Sequence, residues 1–343
     1  MAGTGEHERR LVVLESIGQL RETTNPYIVQ LIRSLESEAE VKLFSWRTAL
    51  AGRWDVLHVH WPELLVVRDS RLRTFARTLL CLLLVVRLRL TRRALVRTAH
   101  NIAPHDDRGL LVTAVLRVLD RVTTLWVTLN DATPVPGSAP RVVIPHGHYS
   151  DWYAGFTRPE AVPGRVLFFG LIRRYKNVTG LVRAFAGMPD ATASLHIVGK
   201  PRPAELADEL AAVAVGDERV EFAFGYASDE SLVREMGEAE LVALPYSEMH
   251  NSGAMLLALS LGRPVLAPEN EVTTALADEV GHAWVRRYSG DLTSERLQDA
   301  LAAGIPQGTP DLARRDWPQG AAAHVVAFRR AVALVRHERR YSE

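Results

Sequence analysis

The sequence contains little cysteine and little lysine. Its single cysteine, Cys81, stands in an apolar run, so no disulfide can form within the chain and the thiol is expected to be inert core. This usage is typical of a reducing compartment. Lysine occurs only as Lys42, Lys176 and Lys200 among 41 basic residues. Because 40 acidic residues leave a net charge of +1, overall charge gives no reason to expect a nucleic-acid partner.

Long hydrophobic runs are also missing. The longest, residues 79–86, stops at Arg87 and falls short of the roughly 18 apolar residues that a membrane span needs. The apolar run near the start, residues 11–14, is too short for a signal peptide. We therefore expect a cytoplasmic protein without a membrane span.

Apolar runs instead alternate with helical patterns along almost the whole chain. With 47% hydrophobic residues among 343, the chain can build a substantial core, and its length favours two domains. The strands are predicted at residues 11–15, 41–44, 56–60, 94–99, 125–129, 142–144, 166–169, 194–198, 220–222, 241–244, 264–267 and 283–285. Strands rich in valine, isoleucine and leucine that are joined by helices indicate parallel sheets covered on both faces. The sequence thus predicts two such sheets, with a boundary near residues 149–163.

Histidines follow three strands of the first half. They stand in the segments 58–63, 100–107 and 145–148. In open α/β sheets, ligands bind beyond the carboxyl ends of the strands. These segments are therefore the first places to seek a functional site.

The strand at 241–244 runs into a polar loop that opens a helix. If Asn251 or Ser252 caps this helix, the N–H groups of Gly253 and Ala254 remain unpaired and point into the loop. Such donors, with the helix dipole behind them, suit a phosphate group. An ordinary capped helix is the alternative interpretation.

A cationic loop follows the strand at 166–169 in the same half. It begins at Gly170 and carries Arg173, Arg174 and Lys176 before the next helix. Cations placed here would neutralise a diphosphate leaving group, whose charge grows in the transition state. The alternative is a solvated surface turn.

These two motifs resemble those of GT-B glycosyltransferases of the family 4 type. Residues 170–177 resemble the donor-phosphate loop of that family, in which Gly-Arg-Leu and Lys-Gly flank three variable residues. The resemblance continues through 195–199, 220–225 and 239–245, and Ile144-Pro145-His146-Gly147 is similar to the family's Ile-Pro-Asn-Gly. Asp316-Trp317 and the helical pattern after them resemble the C-terminal helix. Segments 58–63 and 100–105 look like bacterial exopolysaccharide and glycolipid enzymes, including β-mannosyltransferase relatives.

The resemblance implies an α/β protein with the GT-B fold. Two Rossmann-like domains would face each other across a cleft: residues 1–150 for the acceptor and 151–320 for the donor, with 321–343 forming a helix that returns to the first domain. The chain would transfer a hexose from a nucleotide-diphosphate sugar to a glycan or lipid-linked saccharide at the inner membrane face. No cofactor and no metal are expected, because such enzymes generally need none and no Asp-x-Asp motif occurs.

The resemblance also assigns roles to residues. A histidine at the place of His100 touches the donor sugar and the reaction centre in that family, so His100 would act as a base or orient the acceptor. Asp106 or Asp107 could instead be the base that an inverting enzyme needs. The donor would contact Gly170, Arg173, Arg174, Lys176, His250, Asn251, Ser252, Gly253, Ala254 and Glu269. The acceptor would contact Gly18, Asn25, His60, Glu63 and Asn101. Asn25 or Thr24 is also a predicted helix cap, with Pro26 in the first turn.

Departures from the family pattern leave other functions open. The two glutamates of the family fall at His250 and Ala258, and the arginine of Gly-Arg-Leu at Leu171. The second glutamate usually holds the ribose, and we interpret Glu269 as a replacement contact to a hydroxyl group. The stereochemical outcome therefore stays open. A sugar-nucleotide epimerase and a catalytically silent partner of another transferase are the alternatives.

Two further features bear on metal binding and on membrane contact. His58, His60 and Glu63 resemble a metal-ligand set, because His-x-His on a strand places both rings on one face. Residues 68–97 carry nine arginines against one acid, Asp69. Within them, 71–93 read either as a buried helix with solvated arginine ends or as a peripheral membrane contact that attracts anionic lipid.

Overall fold

The computed structural model describes residues 9–100, 109–247 and 253–337. The chain falls into two compact units. Unit 1 comprises Met1–Gly147 together with Arg315–Glu343, and unit 2 comprises His148–Arg314. The polypeptide therefore leaves unit 1 once and returns to it at its end.

Within the described ranges the chain forms twelve β-strands and thirteen α-helices. The strands are β1 Val12–Glu15, β2 Glu40–Leu43, β3 Val56–Val59, β4 Ala94–Ala99, β5 Leu125–Thr128, β6 Arg141–Val143, β7 Arg165–Phe169, β8 Ser194–Gly199, β9 Val220–Phe224, β10 Leu241–Ala243, β11 Val265–Pro268 and β12 Val285–Tyr288. The helices are α1 Pro26–Glu38, α2 Trp46–Ala51, α3 Glu63–Val66, α4 Arg71–Thr91, α5 Gly109–Val122, α6 Ser150–Tyr153, α7 Val178–Ala186, α8 Leu206–Val213, α9 Asp229–Glu238, α10 Gly253–Ser260, α11 Glu271–Val280, α12 Ser294–Ala302 and α13 Trp317–His337.

The sheet of unit 1 has the order β2-β1-β3-β4-β5-β6, and every neighbouring pair is parallel. The strand order reverses between β1 and β3, because the chain first adds β2 on one side and then builds outward on the other. Glu15 pairs with His58 across this reversal. A reversal of this kind opens a crevice beyond the carboxyl ends of the two strands, where ligands of α/β proteins bind.

The sheet of unit 2 repeats this plan with the order β12-β11-β10-β7-β8-β9, again parallel throughout. Its strand order reverses between β7 and β10. The two loops that the sequence singled out for phosphate binding follow these two strands. Parallel strands carry their carboxyl ends on the same edge, so the topology places both loops at the same edge of one sheet.

Local signals set the start of α1 as the sequence predicts. The side chain of Asn25 accepts a hydrogen bond from the Tyr27 N–H, and Pro26 occupies the first turn. Thr24, the alternative cap, accepts from the Arg21 N–H instead. The buried face of α1 then packs against α13.

Helix α13 completes unit 1 from the far end of the chain. It packs against α1 and β4, with the ring centroid of Trp317 5.5 Å from that of Tyr27 and that of Phe328 5.0 Å from that of His58. Gly147 lies under Trp317, where a β-carbon would stand 2.5 Å from the indole. Only glycine therefore fits at this position without displacing the helix.

The predicted strand at 283–285 is wrong. The N–H groups of Trp284 and Val285 both bond to the Gly281 carbonyl, which closes a turn after α11. The strand begins only at Val285 and continues through Arg286 and Arg287, whose charges interrupt the apolar pattern. The ladder to β11 overrides that pattern, since it supplies backbone partners as far as Tyr288.

The structure has no helix, among the residues that it describes, with both the length and the apolar character to cross a bilayer.

Candidate active site

Unit 1 gathers polar side chains at the reversal between β1 and β3. Glu15 ends β1, His58 lies in β3, and His60 follows β3 directly. All three are buried, with exposed fractions of 0%, 0% and 3%. His100, the first residue after β4, joins them from the next strand. Four titratable groups thus meet at the carboxyl edge of the sheet.

The first pair in this cluster is Glu15 and His58. Nδ1 of His58 bonds to Oε1 of Glu15 at 2.8 Å, and Nε2 of His58 lies 2.8 Å from Oγ1 of Thr98. Burial alone would raise the pKa of Glu15, but the charge and hydrogen bond of His58, with a further contribution from His60, lower it to about 2. Glu15 is therefore a buried carboxylate that is hydrogen-bonded to His58.

His60 links Glu15 to His100. Nε2 of His60 lies 3.4 Å from Oε2 of Glu15, and Nδ1 of His60 lies 2.9 Å from Nε2 of His100. Burial, and then the charge of His58, lower the pKa of His60 to about 4. Burial and the neighbouring histidines hold the pKa of His100 well below its usual range. Both rings are therefore neutral at physiological pH.

Aromatic side chains hold these rings in place. Trp61 stacks on His100 with centroids 4.7 Å apart and an interplanar angle of 22°. Tyr27 of α1 meets His60 and His100 edge-on at 5.9 and 5.3 Å, and its ring lies 4.3 Å from that of His146. Rings packed on several sides cannot rotate freely, so the hydrogen-bonding direction of His100 is well defined.

The proposed acceptor residues of unit 1 fall into three groups. Gly18 and Asn25 line a pocket of about 580 Å³ together with Trp61 and Leu64. His60 belongs to the buried cluster, and Glu63 begins α3. Asn101 and both candidate bases, Asp106 and Asp107, lie outside the described residues.

Glu15, not Glu63, completes the cluster with the two histidines. The group Glu15, His58 and His60 offers one ligand atom each within 4.8 Å of one another. His58, however, already uses both ring nitrogens, on Glu15 and Thr98. The donor set fits a hydrogen-bonded network better than a metal, and the expected absence of a metal stays a prediction. A glutamate that ends an otherwise apolar strand was the signal that sequence reasoning missed.

In unit 2, two glycines bring the start of the cationic loop close to the end of β8. Gly170, directly after β7, has φ +100°, and a β-carbon on Gly199 would stand 1.9 Å from the Gly170 carbonyl oxygen. The Ile172 N–H bonds to the Lys200 carbonyl. A 3₁₀ turn, Arg174–Lys176, then leads into α7. Two glycines are thus needed to bring β7 and β8 together where the loop begins.

Lys176 lies inside this loop with no anionic partner in the described part of the chain. Its Nζ sits 4.7 Å from the ring centroid of Tyr246 and 5.9 Å from that of Phe168. Burial, and then the charge of Arg173, lower the pKa of Lys176 to about 8. A desolvated ammonium held on aromatic faces is well suited to bind an anion.

The other charged residues predicted to contact the donor are Arg173, Arg174 and Glu269, and their surroundings differ. Arg174 is exposed and forms a two-pronged ion pair with Glu209 of α8, at 2.7 and 3.0 Å. Arg173 is half-buried and makes no ion pair with any described residue. Glu269, after β11, accepts from the Ser289 hydroxyl at 2.7 Å and lies 3.6 Å from Arg287. Arg173 is therefore the better placed of the two arginines to meet a ligand.

The segment after β10 is tied to the cationic loop. The backbone N–H and the hydroxyl of Ser247 both donate to the Tyr175 carbonyl, at 2.8 and 2.9 Å. Helix α10 begins at Gly253, followed by Ala254. His250, Asn251 and Ser252 lie outside the described residues, and Ala258, at the position of the second family glutamate, is fully buried.

A parallel sheet with a lysine loop and a helix start at its strand reversal is typical of proteins that bind a nucleotide diphosphate. Together with a second sheet of the same class, it defines a GT-B glycosyltransferase that uses a nucleotide sugar. The family "Glycosyl transferases group 1" matches residues 163–305. The chain is also 41% identical over 326 residues to the GDP-mannose:glycolipid 4-beta-D-mannosyltransferase of Xanthomonas campestris pv. campestris, covering 94% of this chain and 93% of that protein. The chain belongs to this family of glycosyltransferases.

Solved structures agree in fold. The glycosyltransferase AviGT4 of avilamycin A biosynthesis is 17% identical with a TM-score of 0.60, over 94% of this chain and 98% of that one. Anabaena Alr3699/HepE in complex with UDP-glucose is 16% identical with a TM-score of 0.61, over 97% and 100%. These structures confirm the predicted fold class, and the family match together with the 41% identical mannosyltransferase confirms the predicted hexosyltransferase activity.

Proposed function

We propose that the protein transfers mannose from GDP-mannose to a lipid-linked saccharide, with inversion at the anomeric carbon. The observation that carries this proposal is the 41% identity, over nearly the full length of both chains, to a GDP-mannose:glycolipid 4-beta-D-mannosyltransferase. Sugar-nucleotide mannose is α-linked, so a β-linked product requires inversion.

Unit 2 holds the donor in this proposal. Lys176 and Arg173 neutralise the diphosphate, and the first N–H groups of α10 at Gly253 and Ala254 add hydrogen bonds to it. The support is the unpartnered, desolvated Lys176 at the strand reversal. Charge on GDP grows as the bond from the mannose C1 to the phosphate oxygen breaks, so these donors accelerate the reaction.

Unit 1 supplies the base. As the acceptor oxygen bonds to C1, its proton must leave, and a neutral histidine is a fitting acceptor for that proton. His100 is neutral, half-buried and stacked on Trp61. Asp106 or Asp107 is the alternative base, and the pocket at Gly18 and Asn25 is the candidate acceptor surface.

A donor panel tests this function. We expect GDP-mannose, and not UDP- or dTDP-sugars, to raise the melting temperature by several degrees, because ligand at 100 times its Kd stabilises a protein by about 2.7 kcal/mol. Transfer of labelled mannose to a lipid-linked acceptor should follow. Selective stabilisation by a UDP-sugar would contradict the proposed donor. Isomerised sugar from donor alone would favour an epimerase, and binding without turnover would favour the silent partner.

We also propose that the enzyme lies in the cytoplasm against the inner membrane face, through α4. One face of α4 is buried in the core at Cys81, Leu84, Val85 and Leu88. The opposite face exposes large apolar side chains at helical spacing, namely Leu72, Phe75, Leu79, Leu82, Leu83, Val86 and Leu90. One face of α4 is thus a buried helix, and the exposed apolar face supports the proposed membrane contact.

Arginines cluster near the C-terminal end of α4. Beyond the last turn of α4 lies a pocket of about 820 Å³ whose lining includes Arg53, Arg92, Arg93 and Arg336. An apolar helix face with arginines at one end favours a bilayer with anionic headgroups, since each basic residue near such a surface contributes about 1 kcal/mol.

Vesicle sedimentation tests the membrane contact. Wild-type protein should sediment with phosphatidylglycerol vesicles and not with pure phosphatidylcholine. The double variant Leu79→Glu/Leu83→Glu should lose at least about tenfold in affinity, because each leucine that leaves the bilayer costs roughly 2 kcal/mol. Val326→Glu, which changes an exposed valine on α13, is the matched control and should bind as wild type. Failure of the wild-type protein to sediment with anionic vesicles would refute the membrane contact.

A further inference from the structure

The pocket of about 820 Å³ beyond the last turn of α4 carries a large surplus of positive charge. Its described lining includes a single acid, Asp55, and five arginines, namely Arg9, Arg53, Arg92, Arg93 and Arg336. Residues 1–8 carry two acids, and residues 338–343 carry as many acids as arginines, so the chain termini do not cancel this surplus. We call this cavity the arginine pocket.

The arginine pocket lies at the amino edge of the sheet of unit 1. Val12 begins β1, and Asp55 and Arg93 stand directly before β3 and β4. The strands of a parallel sheet all start at one edge, whereas His60 and His100 follow β3 and β4 at the opposite edge. The pocket is therefore separate from the histidine cluster, and it belongs to a different unit from the lysine loop.

Fixed side chains form one wall of the arginine pocket. The guanidinium of Arg93 lies over the ring of the buried Trp54, 4.6 Å from its centroid, and donates to the Gly52 carbonyl at 3.1 Å. Asp55 pairs with Arg9. The one acid in the described lining is thus already engaged, and the remaining arginines have no carboxylate beside them in that lining.

Arg92 adopts a backbone conformation that arginine does not favour. It ends α4 in the left-handed region, with φ +49° and ψ +50°. Among the described residues, Asn177 is the only other non-glycine residue with positive φ. Asparagine tolerates this conformation and glycine is the usual residue at such a helix end, whereas an arginine there is strained. A strained arginine that lines a cavity points to a role for its side chain.

We infer that the arginine pocket binds the phosphate group of a phosphate ester. Guanidinium groups bind phosphate oxygens through charge-assisted, two-pronged hydrogen bonds. The dipole of α4 places only about half a negative charge at this end of the helix, which is far less than the arginine surplus. Arg9, Arg53 and Arg336 moreover come from outside α4, so the helix end alone does not account for them.

Such a phosphate belongs either to a lipid headgroup or to a soluble ester. Leu90, which is 78% exposed, lines the arginine pocket and also belongs to the exposed apolar face of α4. A phospholipid whose phosphate lies in the pocket would have its acyl chains on that same face, along Leu83 and Val86. The lipid source rests on the proposed membrane contact, whereas the phosphate site itself does not.

Calorimetric titration with two matched soluble ligands tests the site without a membrane. The ligands are dihexanoyl phosphatidic acid, kept below its critical micelle concentration, and glycerol 3-phosphate, which is the same phosphate ester without acyl chains. Both should bind the wild type. The double variant Arg53→Gln/Arg92→Gln should bind each at least about tenfold more weakly, because each arginine supplies charged hydrogen bonds. Tighter binding of the lipid would support a headgroup, and equal binding of the two would overturn the lipid source.

Arg71→Gln/Arg73→Gln is the matched control. These two arginines are exposed at the start of α4 and lie outside the described lining of the pocket, so the variant removes the same charge from the other end of the helix. It should bind both ligands as the wild type does. Lys176→Met should also keep this binding, because Lys176 belongs to unit 2.

Arg92→Gly separates binding from folding. Glycine adopts positive φ without strain, so this variant should melt at the wild-type temperature or above while it binds phosphatidic acid more weakly. Absence of saturable binding to the wild type, or equal weakening in Arg53→Gln/Arg92→Gln and in the control, would overturn the phosphate site. These titrations need neither donor nor turnover, so absence of mannose transfer would count against the proposed function alone.

Discussion

Lys176→Ala is expected to abolish the thermal shift given by the nucleotide-sugar donor and to lower kcat/KM by about 10²–10³-fold or more. Lys176 is an ammonium without an anionic partner in the described residues, held against Tyr246 at the strand reversal of unit 2. Removal of one group that stabilises developing charge typically costs about 10²–10³-fold in kcat, and Lys176 would also hold the diphosphate in the ground state.

The loss should be separable from damage to the fold. A desolvated cation destabilises the folded state, since burial lowers the pKa of Lys176. Lys176→Met, which keeps the aliphatic stem, should therefore melt at the same temperature as the donor-free wild type or higher. Lys200→Ala removes an exposed lysine of the same unit and should keep the full donor shift. An unchanged shift in Lys176→Met would refute the phosphate assignment.

The same lysine gives donor binding a pH dependence. Its lowered pKa means that the cation is half deprotonated at about pH 8 and is lost as the pH rises through that value. Above about pH 8, donor affinity should therefore fall by up to roughly tenfold per pH unit, since binding takes up the missing proton. Calorimetric titration between about pH 7 and 9.5 measures this, and Lys176→Met should show a flat profile.

His100→Ala is expected to lower kcat by about 10²–10⁴-fold with the donor-induced thermal shift intact. The first effect follows because a positioned base contributes a factor of this size. The second follows because the proposed donor contacts belong to unit 2 and His100 belongs to unit 1. Initial rates at saturating donor, together with the thermal shift of each variant, measure the two effects separately.

His282→Ala is the control for this result. His282 is an exposed histidine of unit 2 whose ring pairs with Asp278 at 3.2 Å. Its loss should leave kcat unchanged. If His100→Ala retains wild-type kcat, the base is another group, and Asp106 and Asp107 are the next residues to change.

The fold was largely readable from the sequence because its strands are buried on both faces. Such strands appear as continuous apolar runs, and eleven of the twelve predicted runs coincide with strands, whereas the run at 283–285 overlaps β12 only at Val285. The sequence misplaced strand β12 because Arg286 and Arg287 interrupt its apolar pattern, while its backbone pairing with β11 continues. A ladder needs backbone partners and not apolar side chains, so pattern alone cannot place such a strand.

The part of the candidate site that lies within one loop could be predicted from the sequence. Gly170, Arg173 and Lys176 stand within a single strand-to-helix connection, and the structure keeps them there. Glu15 was missed because its meaning depends on His58, 43 residues further along the chain. A buried glutamate becomes tolerable only when a partner neutralises it, and that partner is brought by the pairing of β1 with β3.

The return of α13 to unit 1 has a consequence for synthesis on the ribosome. Unit 2 is one uninterrupted stretch, His148–Arg314, so it can fold as soon as that stretch has emerged. Unit 1 is translated first but finished last, since Phe328 and Trp317 cover His58 and Tyr27 only after the final helix appears. A premature stop before residue 317 would thus leave unit 2 complete. Unit 1 would lack its final helix, and its histidine cluster would be exposed to water.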